Sequence, residues 1–131
     1  MKKHFKTGFP SLDEFIKISK KQGALLAIAA RPSMGKTSLS LNIAQNVAFK
    51  SNLSVGIFSL ELTREQLVQR MLCSETEIDT QKFKRGSLQT KDWKKLAVAM
   101  DNFSEADIYI DDTAARRSGT CLTLKFLSSN A

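Results

Sequence analysis

Ala30-Arg31-Pro32-Ser33-Met34-Gly35-Lys36-Thr37 has the form of a relaxed phosphate-binding loop: a small residue, four further positions, then Gly-Lys-Thr. Each residue type has a physical task. Ala30 lets the chain leave a strand and turn. Arg31, Pro32, Ser33 and Met34 form the body of the loop. Gly35 permits the tight curve that aims successive backbone N–H groups at phosphate oxygens. Lys36 reaches the β- and γ-phosphates of a nucleotide, and the Thr37 hydroxyl is suited to Mg²⁺. The helix that follows adds the positive end of its dipole. A nucleotide with Mg²⁺ is therefore the expected ligand.

The setting supports the motif. Ala24-Leu25-Leu26-Ala27-Ile28-Ala29 is a short apolar run that reads as a buried strand. After the loop, Leu39, Leu41, Ile43, Ala44, Val47 and Ala48 are spaced for the buried face of a helix over about 37–50. Leu53–Leu60 reads as a second strand. Thr63-Arg64-Glu65-Gln66 is a capping box that opens a helix to about residue 75, with Leu67, Val68, Met71 and Leu72 as its stripe. Residues 76–89 read mostly as loop. Thr90 caps a further helix with Trp93, Leu96, Ala97, Met100 and Phe103 as its core stripe, and Ile108-Tyr109-Ile110 is a third strand. Alternating strands and helices predict a parallel sheet flanked by helices, with ligands beyond the carboxyl ends of the strands. Ala30–Thr37, Glu61 and Asp111 should then share one edge.

The chain has 131 residues, one domain at most. Three segments are expected: a basic lead-in at 1–22, a partial core at 23–113 and an atypical basic tail at 114–131. In the lead-in, Thr7-Gly8-Phe9-Pro10 turns into a short helix whose Phe15, Ile16 and Ile18 are expected to pack on the sheet. The net charge is +7, carried by the two ends: residues 1–22 hold six Lys against two acids, and 116–131 hold three basic residues and no acid. Such ends either touch nucleic acid through phosphates or are simply solvated. No apolar run reaches the ~20 residues of a membrane span, and no secretory signal opens the chain, so a cytoplasmic location is expected. Cys73 and Cys121 form no Cys-x-x-Cys pair and His4 is the single histidine, which argues against a zinc site. Cys73, within an apolar helical pattern, is expected to be a core thiol.

Two acidic positions are candidates for chemistry. Glu61 follows the second strand and is placed either to orient and deprotonate a water for attack on a γ-phosphate or merely to cap the next helix. Asp111 and Asp112 end the third strand and read either as a metal-holding acid or as a surface turn. The Lys82–Arg85 cluster reads as a solvated loop.

Together these residues resemble a known family. Thr7-Gly8-Phe9, Leu12-Asp13, Ala29–Thr37, Leu41–Ala44, Phe58–Leu62, Glu65–Val68, Arg70–Cys73 and Ile110–Thr113 look like the motor domain of bacterial DnaB-type replicative helicases, over about residues 7–113. The resemblance implies a RecA-like, P-loop NTPase core and ATP-driven DNA unwinding by hexamers. It makes Lys36 and Thr37 the phosphate and Mg²⁺ residues and Glu61 the catalytic glutamate. It demotes Asp111, because in this family the Ile-Asp-Asp-Thr strand precedes the Walker B strand. It also implies C-terminal truncation: the chain ends before the Walker B acid, the DNA-binding loops and the arginine finger. Residues 114–131 do not look like the family's next helix, as in a truncated or frame-shifted product. The expected function is an ATP-binding helicase fragment without unwinding activity of its own. The alternative is a non-catalytic remnant or a module that pairs with helicase subunits. A small P-loop kinase lacks support, since no lid or acceptor pattern follows the loop.

Overall fold

The computed structural model describes residues 6–16, 25–113 and 122–127. Ile18, Cys121 and the remainder of both basic ends lie outside the described residues. In chain order the elements are α1 (Pro10–Phe15), α2 (Lys36–Lys50), β1 (Ser54–Ser59), α3 (Arg64–Thr76), α4 (Thr80–Arg85), α5 (Thr90–Glu105), β2 (Ile108–Asp111) and β3 (Leu122–Leu127). The sheet runs β2-β1-β3.

β1 is the centre of this arrangement. Its Val55 and Ile57 are fully buried, and with Leu41, Ala44 and Val47 of α2 and Leu67 and Met71 of α3 they form one core cluster. The 3–4 residue apolar spacing of α2 is what brings this face onto the sheet. Gln45, buried on the same helix, donates from Nε2 to the Met71 carbonyl at 3.2 Å, joining α2 to α3 inside the core. Phe49 and Phe103 meet edge to face with centroids 4.9 Å apart, tying the end of α2 to α5.

β1 and β2 are parallel, Val55 opposite Ile108 through Phe58 opposite Asp111. β3 is antiparallel to β1, which makes the sheet mixed. Of the strand expected at 24–29, the described residues 25–29 form none. Residues 25–30 have no ladder partner, Leu25 is 97% exposed, and only Ile28 packs against the core. β2 and β3 hold both edges of β1, and residues 25–30 pair with neither of these outer strands. An apolar run without a partner for its backbone groups does not become a strand.

Four further expectations are corrected. The stretch 76–89 contains helix α4, capped by Asp79, whose Oδ1 accepts from the amides of Gln81 at 2.6 Å and Lys82 at 3.2 Å. Phe15 is exposed; Phe9 and Leu12 pack against the core in its place. Trp93 is 60% exposed and Met100 59%, so α5 buries only Leu96 and Ala99 fully. The apolar spacing of α5 wraps around more than one face, and a 3–4 residue pattern alone does not say which face meets the core. Thr90 is the first helical residue; the turn before it is held by the Asp92 carboxylate accepting from the Gln89 amide at 3.0 Å.

The Thr7-Gly8-Phe9…Leu12-Asp13 pattern acquires a structural reason. The Thr7 amide and hydroxyl both donate to Asp13 Oδ1, at 2.7 and 2.6 Å, which ties the incoming chain to α1. The Thr7 carbonyl accepts from Asn46 Nδ2 at 3.0 Å, which docks the turn on α2. Gly8 adopts φ +87°, and a Cβ there would collide with the Asn46 side chain. Burial pushes the Asp13 carboxyl up. The Thr7 hydroxyl and amide, the Gly8 amide and the Lys6 charge outweigh this and hold its pKa below the ordinary value.

A depressed carboxylate pKa contributes stability above the unfolded value, near 3.8, and that contribution fades as pH falls through the folded value. Acid titration of thermal stability should therefore show a fall below about pH 4 that is shallower in Asp13→Asn; an unchanged profile in that variant would contradict the assignment. The exposure pattern also predicts that Leu67→Ala costs about 2–5 kcal/mol while Trp93→Ala costs about 1 kcal/mol or less, measured by urea unfolding.

Candidate phosphate-binding site

Gly35 is the N-cap of α2 with φ +85°, and Ser33, two residues earlier, has φ +63°. Left-handed residues so close together curl the backbone into the concave form that gathers N–H groups toward an anion. Among the described residues no side chain caps α2. Its first intrahelical bond is from the Leu39 amide to the Gly35 carbonyl at 2.9 Å, so the amides of its first turn have no intrahelical acceptor. Nothing lies within 4 Å of a Cβ at Gly35; the left-handed φ is what that position demands of its residue.

Residues 30–35 are exposed, while Lys36 and Thr37 are half-buried. α2 is held from behind by its buried face, so its free N-terminal end is fixed in direction. The Ser40 hydroxyl donates to the Lys36 carbonyl at 3.0 Å within the first turns. Neither Lys36 nor Thr37 makes a side-chain hydrogen bond or ion pair among the described residues.

Glu61 stands just beyond the carboxyl end of β1. The turn that carries it is fixed on both sides. Ser59 Oγ donates to the Leu62 carbonyl at 2.7 Å and accepts from the Leu62 amide at 3.0 Å. Thr63 and Gln66 then close the capping box of α3: the Thr63 amide donates to Gln66 Oε1 at 3.1 Å, and the Gln66 amide to Thr63 Oγ1 at 3.4 Å. A third cap comes from far along the chain, since Asp112 Oδ2 accepts from the Arg64 amide at 2.8 Å. The helix after β1 is therefore capped without Glu61. Glu61 is exposed and has no hydrogen bond or ion pair among the described residues.

The two aspartates at the end of β2 are engaged within the chain. Asp112 caps α3 and lies 3.8 Å from the Arg64 guanidinium. Asp111 Oδ1 accepts from the Thr113 amide at 2.9 Å. Hydrogen bonds from the Thr113 hydroxyl and amide, and then the Arg64 charge, hold the Asp111 pKa below the ordinary value. The Asp112 link to α3 was not legible in the sequence: nothing local signals a cap supplied 48 residues away.

Cys73 is buried, as its place in the helical stripe predicts. Burial pushes its pKa up, as does the Asp79 charge, against a hydrogen bond with Thr80. It lines a cleft of about 420 Å³ between α2, α3 and α4, with Asn42, Gln69, Arg70 and Lys84. The amide nitrogen of Gln69 is buried without a hydrogen-bond partner among the described residues. Residues 30–37 and Glu61 lie outside this cleft.

A helix-flanked sheet with a Gly-Lys-Thr loop opening α2 and an acid beyond the neighbouring strand defines a phosphate-loop α/β protein of the RecA-like kind. The family model for the DnaB-like helicase C terminal domain matches residues 5–125, and the chain belongs to that family. It is 51% identical over 111 residues to the replicative DNA helicase DnaB of Geobacillus stearothermophilus, and 51% over 111 residues to the replicative DNA helicase DnaC of Bacillus subtilis (strain 168). Each match covers 85% of this chain and 24% of the relative. Among solved structures, a DnaB-like replicative helicase, described with its interactions with primase, superposes with a TM-score of 0.76 at 34% identity, covering 84% of this chain and 27% of that one. A second solved structure, of an ATPase domain, also gives 0.76, at 35% identity over 84% and 39% of the two chains. The chain thus spans 24% of the length of the curated relatives named here.

The two carboxylates near the sheet edge should behave differently on removal. Asp112→Ala is expected to lower stability by about 1 kcal/mol through the lost cap, and Glu61→Gln to leave it within about 0.5 kcal/mol, both read from urea unfolding.

Proposed function

We propose that this chain is the nucleotide-binding part of a DnaB-type helicase motor, with ATP and Mg²⁺ held at residues 30–37. The observation that carries this is the uncapped N-terminus of α2 behind the left-handed pair Ser33 and Gly35. Free amides, a fixed helix dipole and a cation at the first helical position match the chemistry of a polyphosphate.

Within that site, Arg31, Pro32, Ser33 and Met34 shape the loop, and the amides around Gly35 and Lys36 donate to phosphate oxygens. The Lys36 ammonium balances charge on the outer phosphates. The Thr37 hydroxyl is suited to Mg²⁺, which supplies charge neutralisation between phosphates when bound. Among the described residues no group of three His, Cys, Asp or Glu stands ready to hold a metal. A single hydroxyl donor fits an ion carried chiefly by the nucleotide. Glu61, spared from capping α3, is the group available to orient and accept a proton from an attacking water.

DNA contact, hexamer formation and unwinding are properties we assign to the longer protein of this type rather than to this chain alone. Among the described residues no helix is long and apolar enough to cross a membrane, and a cytoplasmic site of action follows from the proposed role on DNA. A second reading, a module that pairs with other helicase subunits, is favoured by the exposed Trp93, Val98 and Met100 on α5.

Thermal unfolding with Mg-ATP tests the site. At a hundredfold excess over Kd a bound nucleotide adds about 2.7 kcal/mol. The wild type and Glu61→Gln should both gain this stabilisation and Lys36→Ala should lose it, while Glu61→Gln should abolish any phosphate release that the wild type shows. Equal stabilisation of Lys36→Ala and the wild type would refute the assignment.

A further inference from the structure

β3 covers β1 more completely than β2 does. It opposes all six residues, from Ser54 opposite Leu127 to Ser59 opposite Leu122, whereas β2 opposes the four from Val55 to Phe58. Residues 122–126 of the sequence Leu122-Thr-Leu-Lys-Phe-Leu127 alternate apolar and polar with the period of two of a strand. Leu124, opposite Ile57, packs against the core, while Thr123 and Lys125 are exposed. Opposite Lys125 stands Gly56, where an added Cβ would meet the Lys125 carbonyl at 3.6 Å. Without β3, the backbone groups on this side of the central strand would lose their partners.

The contacts of β3 are mainly with β1, with a smaller share to α2. It is joined to β2 through residues 112–121 alone. Ladder pairing depends on backbone geometry and side-chain alternation, and both are the same whichever chain supplies the strand. We propose that the second edge of β1 is a strand-accepting site, filled within the chain by residues 122–127 and open to the same segment of a second copy when that strand is displaced. The covalent connection gives the resident strand the advantage of a high effective concentration. Exchange between copies should therefore show only when the resident strand is weakened or the protein is concentrated.

The test uses the full chain and a fluorescein-labelled peptide of residues 121–128 with Ser in place of Cys121. Leu124→Asp, with its helical circular dichroism checked against the wild type, is expected to bind the peptide at least ~10-fold more tightly than the wild type does, the resident strand no longer competing. Equal binding, or none by the folded variant, would overturn the proposal. A second arm does not need a destabilised strand. Phe58→Cys and Thr123→Cys, opposed in the ladder, are combined with Cys121→Ser and oxidised at rising protein concentration. An intrachain disulfide at low concentration that gives way to disulfide-linked dimers as concentration rises is the expected result. Failure of either species to form would contradict it.

Discussion

The packing of α2 on β1 is the constraint from which the rest of this structure follows. Leu41, Ala44 and Val47 bury against Val55 and Ile57, and the helix cannot turn without opening the core. Its N-terminal amides are thereby aimed in a fixed direction. Among the described residues no side chain caps those amides, and Ser33 and Gly35 turn the preceding backbone with left-handed φ. The candidate site is thus a by-product of core packing: a rigid helix end, held from behind, with unsatisfied donors at its tip. The Thr7 carbonyl, in a turn held by Asp13, accepts from Asn46 and ties the incoming chain to the same helix.

Much of this was legible in the sequence because the signals are local. The Gly-Lys-Thr loop opens α2 at the position its spacing predicts, and Thr63 with Gln66 forms the capping box that its four residues spell out. Cys73 is buried, as its stripe requires. What was not legible depends on partners distant in the chain. The apolar run at 25–30 looks like a strand, but a strand needs a neighbour for its backbone groups, and no described strand pairs with it. Trp93 has helical spacing, yet only the packing of α5 on α3 decides that Leu96 and Ala99 face inward. Asp112 sits 48 residues from the helix end it caps.

The candidate site shows the same division. Residues 30–37 are contiguous, so their chemistry reads directly from the chain. Glu61 is an isolated acid whose two readings, cap or water-orienting base, are inseparable by position alone. The structure shows its turn held by Ser59 and its helix capped by Thr63, Gln66 and Asp112. That arrangement removes the need for Glu61 as a cap and leaves its carboxylate without a partner among the described residues, which is why the proposed mechanism gives it the proton-accepting role. The sheet is likewise shaped by a distant element: β3 supplies an antiparallel edge to a strand that β2 pairs in parallel.

The measurement that bears most directly on this account is an NMR titration of the isotopically labelled chain with Mg-ATP, following backbone amides one by one. Saturable shifts centred on Gly35, Lys36, Thr37 and Ser38, absent when adenosine without phosphates is used, are the predicted result. Shifts that leave the start of α2 untouched, or none at all in a folded sample, would contradict the central claim that the uncapped end of α2 is a phosphate site.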